Sequence, residues 1–271
     1  MPVTFFAHQA PVLPIARRWP NAVDGVALVV GSMAPDMAFV LSRSRFDIWA
    51  HGFPGVITFC IPATFVCSWI VVRVMAPVVP DHLPDLGSFH LHDYRGLATH
   101  RFQFLRLVAW AELGALSHVF LDEFTHDWGW FAHHVSWYDD RIISGKVLGR
   151  EWTVYRVFQY IGHVGFTVLC LALLWSYGRQ HWMTARADTI APAPTSIASY
   201  LTLWGCTTIG IGVTTLWVVS DRIGSASDLL RVAFGMFAGM LAGCLALQAR
   251  RRRSKVNEDS GATETRLPLE D

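Results

Sequence analysis

Apolar residues in this 271-residue chain gather into long runs broken by short polar segments. A helix needs about 20 apolar residues to cross hydrocarbon. Four runs meet that length: 56–79, whose only charge is Arg73, then 157–177, 201–220 and 229–247. A fifth, 104–124, is apolar but carries Arg106, Glu112, His118 and Asp122. A further stretch, 22–41, is broken by Gly31 and Pro35 and reads as a helix that stops or kinks midway. The pattern predicts an all-α, polytopic helical membrane protein. It has an N-terminal helical bundle over 1–180, a connector over 181–199 that contains Pro192 and Pro194, and a transmembrane helical hairpin over 200–248. Residues 249–271 read as a tail, basic at Arg250–Arg253 and disordered beyond.

Composition supports a lipid environment. The chain is 52% hydrophobic and only 16% charged, against roughly 25% charged in soluble domains. So few charges cannot cover a water-facing surface, so the bilayer is the expected partner. With 22 basic and 21 acidic residues there is no surface for a nucleic acid. The five cysteines all lie in apolar runs without a CxxC pair and read as small buried hydrophobes. The first twenty residues lack the order of a cleavable signal peptide. The basic tail after the last span predicts a cytoplasmic C-terminus. Counting back through five spans places 1–54 and 122–156 together on the other side, an assignment that Arg17, Arg18, Arg43 and Arg45 oppose.

The chemistry-bearing pattern is SHVFLDEFTH at 117–126. His118, Asp122 and His126 recur every four residues, and each step of four advances about 400°, so the three line one stripe of a helix. From first to last the stripe rises about 12 Å, too far for one ion whose ligands lie about 2 Å away. The spacing suits either one ion at His118 and Asp122, or two ions with Asp122 between them and His126 serving the second. Ionisable residues at membrane depth are rare and mark function. Glu112 falls near the opposite face and is expected to pair with Arg106 or Arg156.

One helix supplies too few ligands, and the N-terminal third offers His8, Asp36 within GSMAPD, and His51 within HGFPG. Together with His118 and Asp122 they make the mixed imidazole and carboxylate set of zinc and related hydrolytic centres. The Trp-rich turn at 128–131 and the pair His133–His134 read as an anchor at the lipid–water interface. His82, His90, His92 and His100 read as members of a solvated loop.

The opening MPVTFFAHQAPVLPIARRWP, GSMAPD, HGFPG and SHVFLDEFTHDWGW together resemble the bacterial membrane family called domain of unknown function 4184, over about residues 1–180. That family is more distantly similar to membrane-bound metal-dependent hydrolases, which share a ligand order with zinc-dependent phospholipase C and P1-type nucleases. The resemblance implies metal ligands at His8, Asp36, His51, His118 and Asp122, with His126 as a later ligand. Asp36 would act as both ligand and proton acceptor. Those enzymes also carry a further His with an acid four residues on. Here His163 is followed at that distance by Thr167, which implies one or two ions rather than three. The expected cofactor is therefore a divalent metal, zinc first, in a metal-dependent hydrolase of the bacterial cell membrane. Its expected substrate is a phosphoester or a lipid-linked molecule. The alternatives are a non-catalytic membrane protein with a structural metal, and a transporter. The last two spans carry few polar residues, which counts against transport.

Overall fold

The computed structural model describes residues 4–42, 44–84, 86–147, 150–182, 189–220 and 226–264. Four short helices come first: α1 (Thr4–Ala7), α2 (Leu13–Arg18), α3 (Gly25–Gly31) and α4 (Ala34–Met37), the last continuing as a 3-10 turn over Ala38–Leu41. Helix α5 (Phe53–Met75) follows, then 3-10 turns at Pro80–His82, Gly87–Phe89 and Leu91–Thr99. Next come α6 (Phe104–Thr125), α7 (Trp130–His134) and an antiparallel pair, β1 (Arg141–Val147) with β2 (Arg150–Thr153). The chain ends in three long helices, α8 (Val154–Arg179), α9 (Ile197–Ser220) and α10 (Ala226–Glu264). Five segments are long and apolar enough to cross a membrane: Phe53–Met75, Phe104–His134, Val154–Arg179, Ile197–Ser220 and Asp228–Ser254. The protein is thus an all-α polytopic helical chain, and its two short strands are an addition the sequence pattern does not predict. Helix α10 runs through the basic stretch to Glu264, where the pattern predicts disorder. Residues 265–271 lie outside the described residues.

The break in 22–41 falls where Pro35 demands it. Helix α3 is capped by Asp24, whose side chain accepts from the Ala27 N–H at 3.0 Å, and α4 restarts with Pro35 in its first turn. Two prolines also shape α5 and its exit. Pro62 and Pro77 lack an N–H and crowd the carbonyl four residues back. The turns just before them widen to π geometry at Val56–Cys60 and Val71–Met75, with the Ala76 N–H reaching back five residues to the Val71 carbonyl at 2.8 Å.

The N-terminal helices fold into the bundle instead of lying along one face. Leu13 packs with Cys170 and Tyr177 of α8. Arg17 hydrogen-bonds the Gln180 side chain and stacks its guanidinium over the Tyr177 ring at 4.3 Å, at the cation-favouring C-terminal end of α8. His8 lies far up the same helix, beside His163. Arg17 and Arg18 therefore sit at the opposite end of the bundle from Asp36 and His51. This corrects the placement of residues 1–54 wholly on one side. Helix α3 then returns along α6, where their backbones meet: a Cβ on Gly31 would lie 2.5 Å from the Ala111 carbonyl oxygen. Glu112 has no arginine partner among the described residues. Arg106 donates to the Asn21 carbonyl and Arg156 to the Tyr155 hydroxyl.

Helices α9 and α10 form a hairpin whose close approach rests on small residues, since a methyl on Gly239 would run into the Cys206 carbonyl. Leu203, Cys244 and Leu247 pack against Val74 and Val78 at the end of α5. His82, expected in a solvated loop, is instead buried, as is its neighbour Asp81. The His82 ring bonds the Val78 carbonyl (2.8 Å) and the Ser199 hydroxyl (3.0 Å). Asp81 pairs with Arg95 at 2.7 Å and accepts the Ala193 N–H. These bonds tie the start of α9 to the end of α5.

Candidate metal centre

Five residues distant in sequence converge: His8 after α1, Asp36 in α4, His51 before α5, and His118 and Asp122 in α6, all at most 5% exposed. The topology accounts for the meeting. His51 stands at the start of α5 and Asp122 near the end of α6, so two antiparallel crossings bring them to the same level. The Gly31 contact then presses α3 onto α6. Ser32 follows Gly31, and its carbonyl lies 2.8 Å from His118 Nδ1. A carbonyl only accepts, so Nδ1 carries the hydrogen and Nε2 presents its lone pair inward.

His118 Nε2 is 3.2 Å from Asp122 Oδ2 and 3.6 Å from Asp36 Oδ1. His51 Nε2 is 3.5 Å from Asp122 Oδ2 and 3.7 Å from Asp36 Oδ1. His8 Nε2 lies 3.6 Å from Asp122 Oδ1, and its ring stacks on that of His118 with centroids 3.6 Å apart. Ligand atoms about 2.0–2.2 Å from a tetrahedral ion stand about 3.3–3.6 Å from one another. The observed separations, 3.2–3.7 Å, bracket that spacing and lie at or beyond the long end of hydrogen bonding. Asp36 Oδ2, Asp122 Oδ1, His118 Nε2 and His8 Nδ1 are buried without a hydrogen-bond partner, a state that buried polar atoms rarely tolerate. The residues present thus fit a divalent cation in donor type, spacing and unmet polar capacity.

His163 joins the set. It forms a compact group with His8 and Asp122, alongside His8–Asp36–His118 and His51–His118–Asp122, the ligand atoms within each group lying within 4.8 Å of one another. Its Nε2 is also buried without a partner. The sequence held a signal for it: Gln159, His163 and Thr167 recur every four residues in an otherwise apolar span, and all three are buried. His126, by contrast, stays at the edge. Its Nδ1 is 3.4 Å from Asp122 Oδ1 and 3.1 Å from the Thr125 hydroxyl, its side chain is 18% exposed, and its ring stacks on Trp128. It belongs to none of the three compact groups.

Burial pushes the His8 imidazole down, and the neighbouring His118 adds to this, to about 3. Burial works against the Asp36 carboxylate, but the neighbouring imidazoles, His118 first, hold it down at about 2. Aromatic rings wall the His51 side, with Phe39, Trp49 and Trp128 centroids 5.0–5.5 Å from its ring. Glu123, beside Asp122 in sequence, turns away and accepts the Trp130 N–H at the start of α7. His134 stacks on Trp130, outside the cluster.

A family model described as Domain of unknown function (DUF4184) matches residues 1–249. The chain belongs to this family. The match runs past residue 180, where the motif resemblance ends, and takes in the α9–α10 hairpin. Domain of unknown function 4184 therefore includes both the cluster and the helices that brace it. No curated protein and no solved structure matches the chain.

Proposed function

We propose that the protein is a metal-dependent hydrolase of the bacterial cell membrane that holds one or two divalent ions, zinc first, and cleaves a phosphoester or related bond in a lipid-like substrate. The observation that carries this reading is the inward meeting of three imidazoles and two carboxylates at 3.2–3.7 Å. His8, Asp36, His51, His118 and Asp122 would hold the metal, with His163 and His126 at its border. Such a set offers more donors than the four of a closed structural zinc site, which supports catalysis over scaffolding. A bound divalent ion supplies Lewis acidity, bringing water near neutrality within reach of deprotonation and offsetting charge on a phosphoryl oxygen.

The chain's own groups do the rest. Asp36 keeps Oδ2 unbonded while His51 and His118 orient Oδ1, so Oδ2 is placed to accept a proton from water. The Ser32 carbonyl fixes the His118 tautomer. Trp49 and Trp128 pack edge to face at 5.2 Å and limit water on the His51 side. Exposed Trp130 and Trp137 suit the depth of lipid head groups, where the chains of an amphiphile stay in hydrocarbon.

The test is elemental analysis of the purified protein with release of phosphate or head group from phospholipid. A divalent ion present in wild type and lost in both His118→Ala and Asp122→Ala is expected, with turnover lost alongside. Absence of any divalent ion after zinc is supplied ends the metal reading. Stoichiometric metal without turnover transfers the site to a structural role.

A further inference from the structure

A separate cavity of about 470 Å³ opens at the other end of the bundle, within the size range of small-molecule sites. It is lined by the aliphatic side chains Leu13, Val26, Val29, Val71 and Leu174 and also by Arg101 and Arg106. Asp24, also in the lining, is already engaged: it accepts from the Ala27 N–H and lies 3.2 Å from His100 Nε2. Arg101 is exposed and joins no ion pair among the described residues. Arg106 gives one N–H to the Asn21 carbonyl, and a guanidinium carries five. The cavity therefore combines an aliphatic lining with two cationic side chains.

Its level in the membrane follows from contacts. Val71 lies in the last turn of α5 and Arg106 in the first turn of α6, while Leu174 stands near the end of α8. Gln248 of α10 donates to the Val74 carbonyl at 3.0 Å and Arg250 to the Thr202 hydroxyl at 3.2 Å. The basic run Arg250–Arg253, together with Arg17 and Arg18, thus shares this end with the cavity. The excess of arginine marks the end as cytoplasmic, and the cytoplasmic leaflet is the anionic one.

We propose that this cavity binds one anionic phospholipid of the cytoplasmic leaflet, its phosphate at Arg101 and Arg106 and the upper part of one acyl chain against the aliphatic lining. Guanidiniums offer a phosphate diester opposite charge and paired N–H donors, and basic pockets between spans on this side suit such head groups. The site is separate from the His/Asp cluster and stands whether or not that cluster holds metal.

The experiment is native mass spectrometry of the protein released from nanodiscs made of equal parts phosphatidylglycerol and phosphatidylcholine. Wild type is expected to retain a single phosphatidylglycerol, preferred about tenfold or more over phosphatidylcholine. The double variant Arg101→Gln/Arg106→Gln loses the preference, and Val26→Trp, which fills the cavity from its aliphatic lining and leaves the charge, loses the bound lipid. Should the double variant fail to fold, Arg101→Gln alone, at an exposed position, must still reduce the preference severalfold. Equal retention of both lipids overturns the proposal, as does phosphatidylglycerol that survives Val26→Trp, since that lipid would be held by surface charge alone. Displacement by inorganic phosphate at equal concentration also overturns it, in favour of a free-anion site.

Discussion

Gly31→Ala tests whether the α3–α6 contact sets the geometry of the cluster. On helix propensity alone the substitution would stabilise, by up to about 1 kcal/mol. Packing opposes it. The new methyl would lie 2.5 Å from the Ala111 carbonyl oxygen and 3.0 Å from Ala111 Cα, where ordinary contact begins at 3.4 Å. Relief requires the two backbones to part by about 0.9 Å, and overpacking of this kind costs about 1–3 kcal/mol. Packing wins. The next residue is Ser32, whose carbonyl lies 2.8 Å from His118 Nδ1. The same displacement stretches that bond to as much as about 3.7 Å, beyond hydrogen-bonding range. Loss of an orienting partner lowers metal affinity about 10–100-fold. The assays are thermal unfolding in detergent and zinc competition against a chelating dye. Gly165→Ala is the control, because a Cβ there meets nothing within 4 Å. A Gly31→Ala protein with wild-type melting and wild-type zinc affinity would refute the reasoning. Lower melting with no zinc binding in either protein would keep the packing argument and remove the metal.

Two further outcomes are expected. Burial alone would raise the Asp24 pKa, but hydrogen bonds from His100 and the Ala27 N–H, together with the charge of Arg106, hold it below its ordinary value. Its contribution is therefore fully present above about pH 4, the unfolded value, and is lost as pH falls through the lower folded value. Asp24→Asn keeps a capping side chain but should flatten that acid loss, and parallel pH–melting curves for the two proteins would count against the assignment. Arg231 is buried, pairs with Asp228 at 3.0 Å and donates to the Ser42 carbonyl at 2.6 Å. Arg231→Met leaves those acceptors without their guanidinium and should cost about 3–5 kcal/mol, with Asp228→Leu in the same chain recovering part of it. Full stability of the single variant in a denaturant titration would show that the pair holds nothing.

The spans and the His118–Asp122 stripe were legible because each is a local periodicity. Twenty apolar residues or a repeat of four need no knowledge of the rest of the chain. The set His8, Asp36 and His51 came from motif resemblance and residue chemistry, and the bundle does bring it together. What escaped depends on which elements face each other. His163 shares its apolar run only with Gln159 and Thr167 at four-residue spacing, and the docking of α1 and α6 onto α8 gives it His8 and Asp122 as neighbours. His126 fits the helical stripe, but α6 ends at Thr125, so the last step of the stripe turns towards Trp128. Arg17 and Arg18 oppose any assignment that treats residues 1–54 as one surface segment. The re-entrant path of α2 and α3 places them with the basic tail, and the conflict narrows to Arg45, which lies over the Phe46 ring, while Arg43 lies outside the described residues.

Asp122 organises the cluster because its two oxygens face different partners. Oδ2 stands between His51 and His118, while Oδ1 faces His8 and His126. The spacing of the α6 stripe allowed two ions with Asp122 between them, and the geometry supplies the donors for such an arrangement in a different way. His8 and His163, contributed by α1 and α8, complete the second group, and the helix itself gives only Asp122 and the peripheral His126. A bridging carboxylate must be held rigidly, or its two sides cannot keep separate distances. Here that rigidity comes from packing: α6 is fixed against α3 by backbone contact and against α5 by the apolar cluster of Ala34, Val56 and Ala115. None of those residues is itself among the candidate ligands. Their part in the proposed chemistry is to let a carboxylate near the end of a membrane helix keep the same position for both groups.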